Sequence, residues 1–110
     1  MKTIFIIAVL SGLFLHPELS SAAEESYKIT IQNHRFEPEE LKIPAHKKVK
    51  LLVENLDSTV EEFESFDLNR EKVVTGHAKI TVFNGPVKPG TYKFFGDFHQ
   101  QTAQGVIIAE

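Results

Sequence analysis

An all-β fold, a Greek-key antiparallel β-sandwich, is predicted for this chain by three features of its sequence. Short segments alternate apolar with polar residues, as in Tyr27-Lys-Ile-Thr-Ile-Gln32 and Lys79-Ile-Thr-Val-Phe83, which is the period of half-buried strands. Pro, Gly and Asn punctuate these segments at short intervals, and no stretch sustains a helical period. Seven of the nine Phe lie beyond residue 23, a density that suits the tightly packed interior of a small sandwich.

Taken in order, Tyr27 to Gln32 is the first strand. The chain then turns around Pro38, with Phe36 and Leu41 as core plugs. A second turn at Pro44 to Lys47 leads into a strand through Val53, and Asn55 to Ser58 is a loop. Phe63 to Phe66 and Lys72 to Val74 read as short strands, with room for a partly helical turn from Asp67 to Glu71. Lys79 to Phe83 alternates again and ends in a turn at Asn84 to Pro86. Thr91 to Phe95 and Gly105 to Ala109 close the set. Seven or eight strands in one small domain favour antiparallel Greek-key packing.

The first 23 residues read as a secretory signal peptide rather than as fold. Lys2 supplies the positive start, Ile4 to Leu15 the apolar run, and Ser20 to Ala23 the small residues, with cleavage equally readable after Ala22 or Ala23. The run is too short to span a membrane. The remaining 87 residues are enough for one domain. The chain has no cysteine, so neither a disulfide nor a lipoprotein anchor is available to it. Residues 24–110 hold 11 basic and 14 acidic side chains, a net charge of −3. That balance gives no reason to expect nucleic acid or anionic lipid as a partner.

The segments Phe36-x-Pro38, Leu41-x-Ile43-Pro44-Ala45, Asn55-x-Asp57 and Pro89-Gly-Thr-Tyr-x-Phe94, followed by His99, resemble the cupredoxin family in kind and in order. The resemblance covers nearly all of residues 24–110 and implies a cupredoxin-like domain there. It also implies four ligand positions for copper. The first, an imidazole after the Asn-x-Asp loop, falls on Glu61 or Glu62 depending on a one-residue register. The thiolate falls on Gly96, the second imidazole on His99, and the axial thioether on Gln104. Blue copper requires the thiolate, so no type 1 site is expected.

Carboxylates stand where sulfur and nitrogen are missing. Val60-Glu-Glu-Phe-Glu-Ser65 carries three, and Asp97 lies two residues from His99. Carboxylates with one imidazole suit a hard or borderline ion, iron or copper(II), and the candidate metal ligands are His99, Asp97, Glu62 and Glu61. Strand alternation lets only one of Glu61 and Glu62 face a common point, and Glu61 shares its face with Phe63. Glu64 and His77 are weaker candidates, while His34 and His46 read as exposed. The same acid and histidine could instead form a metal-free hydrogen-bonded cluster.

The cysteine-free pattern is similar to the cupredoxin-like domain of the EfeO periplasmic iron-uptake proteins. That similarity implies a periplasmic protein assisting metal uptake or handling, its partners a metal ion and a periplasmic or membrane permease protein. A metal-free module binding another periplasmic protein is the alternative. No enzyme is expected, since there is no Ser-His-Asp layout, no paired-His metal motif and no phosphate loop.

Overall fold

The computed structural model describes residues 25–110, so the signal-peptide reading of residues 1–23 lies outside the described part. Among the described residues there are nine strands: β1 (Glu25–Gln32), β2 (Arg35–Glu37), β3 (Glu40–Ile43), β4 (Val49–Asn55), β5 (Glu61–Ser65), β6 (Arg70–Val74), β7 (Lys79–Asn84), β8 (Gly90–Gly96) and β9 (Gln104–Ala109). One sheet has the order β2-β1-β4-β7 and the other β3-β9-β8-β5-β6. The two lie face to face as an all-β sandwich, as the alternating pattern predicts.

Within it, β1 pairs with β4 and β3 with β9 in parallel, while the other pairings are antiparallel. The stretch read as one turn around Pro38 contains β2 and β3, on either side of a cis Glu37–Pro38 bond. Residues 66–69 form a plain turn rather than a helical one, and β6 begins at Arg70.

The core follows from strand alternation. In β4, Val49, Leu51, Val53 and Asn55 point inward; in β5, Glu61, Phe63 and Ser65 do. Phe36, Phe63 and Phe94 meet at the centre, with ring centroids of Phe36 and Phe94 4.9 Å apart and of Phe63 and Phe94 5.3 Å apart. Edge-to-face and offset contacts of this kind add to simple burial. Gly105 is required beside them, because a Cβ there would lie 2.3 Å from the Phe94 ring.

The edges of the two sheets are stitched on one side. Arg70 of β6 donates from Nε to the Phe83 carbonyl of β7 (2.7 Å), and Lys72 donates to the Thr81 carbonyl (2.9 Å). Two cationic side chains thereby cover acceptors that an edge strand would otherwise offer to another chain.

A candidate metal-handling site at the mouth of the sandwich

The site starts from buried Asn55. Its Nδ2 donates to the Thr59 carbonyl (2.8 Å) and its Oδ1 accepts the Asp57 N–H (3.0 Å). That pins the loop between β4 and β5. Asp57 in turn accepts the backbone N–H groups of Asn33 (2.8 Å) and His34 (3.0 Å). Burial, the largest single influence, would raise its pKa; the N–H donors of His34 and Asn33, with the His34 and His99 rings nearby, together outweigh it and hold the carboxyl below its ordinary range. Asn33 and His34 link β1 to β2 with φ of 55° and 57°, a two-residue hairpin with both central residues in the left-handed region.

Glu61 opens β5 facing inward and is 1 % exposed. Its Oε1 accepts the N–H groups of Glu62 (2.9 Å) and Phe98 (2.8 Å). Its Oε2 lies 2.6 Å from Nδ1 of His99, which a 3₁₀ turn (Asp97–His99) after β8 delivers. With Oε1 taken up by the two backbone donors, the hydrogen-bond network assigns the His99 proton to Nδ1, which donates it to Oε2. The other ring nitrogen, Nε2, is then the unprotonated one. It has no hydrogen-bond partner among the described residues and is not sealed from solvent. The His99 side chain is 24 % exposed.

Gly96 explains how a carboxylate came to fit. A Cβ at that position would lie 2.6 Å from Glu61 Cδ, 2.7 Å from its Oε2 and 2.7 Å from Ala103 Cβ. The Glu61 carboxyl therefore fills the space that a side chain at the thiolate position would need. The residues present do not fit a type 1 copper ion: the sulfur is missing and its volume is taken. Gln104, at the axial position, is exposed and donates to the Gln100 carbonyl (2.6 Å) instead.

The four candidate ligands separate into two groups. Glu61 and His99 meet inside the mouth. Glu62 and Asp97 join Glu64 on the other face of β5, where one carboxylate oxygen from each lies within 4.8 Å of the others. There Asp97 also accepts from the Gln100 amide (2.8 Å). Burial, then the charges of Glu71, Glu64 and Asp97, push Glu62 up to about 7. His77 approaches the same end through its backbone N–H, which donates to the Asp57 carbonyl (3.0 Å); His46 bonds the Val87 carbonyl (2.8 Å).

The sequence reading missed His34. Its ring stacks on His99, with centroids 3.6 Å apart and planes 12° apart. No alternation in the sequence marks it, because β2 after it has only three residues and its place depends on the two-residue turn that carries it to the loop end.

A sandwich with this strand order and a histidine loop at one end defines a protein of cupredoxin type. The family model for the cupredoxin-like domain matches residues 3–109, and the chain belongs to that family. An uncharacterised protein of Rickettsia prowazekii (strain Madrid E), RP394, is 53 % identical over 81 residues, which are 74 % of this chain and 65 % of that protein. The chain thus spans just under two thirds of that relative's length. Among solved structures, auracyanin A, a "blue" copper protein from Chloroflexus aurantiacus, superposes with a TM-score of 0.69 at 13 % identity, covering 80 % of this chain and 100 % of auracyanin. A purple cupredoxin from Nitrosopumilus maritimus gives 0.59 at 20 % identity, covering 76 % of this chain and 98 % of that one. At such identities these structures speak for the fold alone.

Proposed function

We propose that this protein is an exported, periplasmic metal-handling protein that holds iron or copper transiently through His99 Nε2, with no catalytic role. The observation that carries this is the 2.6 Å contact between buried Glu61 and His99 Nδ1. A ligating imidazole commonly donates its other N–H to a carboxylate, which fixes its tautomer and makes it a stronger ligand. Glu61 thus acts on the ion through His99 rather than as a ligand itself. One imidazole at an open mouth leaves most of the ion's coordination sphere for water or for a receiving protein. That suits passing a cargo ion to a permease-associated partner, as the likeness to EfeO-type uptake domains implies. The outer carboxylates Glu62, Glu64 and Asp97 gather hard oxygen donors on the opposite face of β5.

Calorimetric titration with Cu(II), Fe(II), Fe(III) and Zn(II) tests this reading. Micromolar binding is expected for at least one of these ions. His99→Ala should abolish it, and Glu61→Gln should weaken it by about 10- to 100-fold. Binding no tighter than millimolar, or unchanged in His99→Ala, would exclude it. The second reading, a metal-free module that docks another periplasmic protein, draws on exposed Val60 (41 %) and Phe98 (48 %), which flank the Glu61 contact in sequence. It takes over if the wild-type chain binds none of the four ions.

A further inference from the structure

We infer that His34 is a positioning residue whose ring sets the orientation of His99; its effect on affinity rests on the metal-handling reading above. The stack is close and nearly parallel, 3.6 Å between centroids and 12° between planes. The two-residue turn that presents it is held from several sides. Asp57 takes the N–H groups of both turn residues, the Thr102 hydroxyl donates to the His34 carbonyl (2.6 Å), and His34 Nε2 lies 3.3 Å from the Thr59 hydroxyl. Non-glycine residues seldom adopt positive φ, and two in succession persist only where their surroundings over-determine them. Here those surroundings are the loops that also build the mouth.

The stack distinguishes positioning from ligation. The lone pair of an imidazole nitrogen lies in the ring plane, so two parallel rings 3.6 Å apart do not aim at one ion. His34 therefore covers a face of His99 while Glu61 holds one edge. With a face and an edge both fixed, the unprotonated Nε2 keeps a single direction, and an incoming ion meets a ligand that has little rotamer freedom left to lose.

The test compares wild type with His34→Asn and His34→Phe. Asparagine tolerates positive φ and so keeps the turn while deleting the ring; phenylalanine keeps a stacking face but has no ring nitrogen. Proton–nitrogen correlation spectra of the His99 ring report its tautomer and the upfield displacement caused by stacking, and Zn(II) titration reports affinity. In His34→Asn, the single Nδ1-protonated tautomer should give way to a mixture, the upfield displacement should vanish, and Zn(II) affinity should fall about 10-fold. His34→Phe should retain all three. An unchanged His99 tautomer in His34→Asn overturns the inference, as does unchanged affinity where the wild type binds. If the wild type binds no metal while the tautomer still responds to His34→Asn, ring positioning stands and metal handling falls.

Discussion

Gly96 and Glu61 act as one unit at the residue scale. The missing side chain at 96 is the space that the Glu61 carboxyl occupies, and the carboxyl is tolerated at 1 % exposure because three donors surround it. A buried carboxylate without such partners would be strongly unfavourable. Gly96→Ala should therefore do more than fill space. The new methyl must displace either the carboxyl or Ala103, at a cost of about 1–3 kcal/mol. Urea denaturation should show that loss. Unchanged stability would mean that the carboxyl moves aside freely, and that the Glu61–His99 contact constrains neither residue. Alternation back from inward-facing Phe63 favours Glu61 over Glu62, but the sequence left the choice open, because β5 read from sequence begins two residues too late. His34 was not legible, because its role depends on a turn bringing it against a residue 65 positions away.

At the scale of elements, strands with several alternating residues are plain in the sequence and the shortest ones are not. β4 and β7 each present at least three alternations, whereas β2 has three residues and β3 four, too few for a period. Alternation also says nothing of the neighbour's direction, so the parallel β1–β4 and β3–β9 pairings could not be read from it. The same limit hides what protects the open edges. Arg70 and Lys72 look like ordinary surface cations, yet each donates to a carbonyl of β7 across the gap between sheets. Replacing both with Ala should destabilise the fold by about 1–2 kcal/mol and should raise self-association, because the freed carbonyls offer a strand-pairing template. Light scattering of the double variant near neutral pH measures the second effect; a monodisperse monomer with wild-type stability would show that these contacts protect nothing.

For the molecule as a whole, a sandwich with net charge −3 has concentrated much of its like-charge repulsion on one face of β5. Glu64 stands directly across from Glu71 in the β5–β6 register, and both Glu62 and Glu64 are raised, in each case by burial first and then by neighbouring carboxylates. The sign of the consequence follows from proton counting. Between the free carboxyl value of 4.5 and the folded value of about 7 for Glu62, the native state holds more protons than the unfolded chain. Stability therefore falls as pH rises through that window, and the contribution is lost above it. This runs against Asp57, whose depressed pKa stabilises the fold above the ordinary carboxyl range and is lost in acid. Thermal melts from pH 5 to 8 should show a decline that Glu62→Gln flattens, leaving the variant more stable than wild type at pH 8. A hard cation should act in the same direction, by neutralising the face without protons. If added Ca(II) leaves the pH 8 melting temperature unmoved while Glu62→Gln raises it, the acidic face is a source of repulsion alone, and the proposed role of His99 gains no support from that side of the strand.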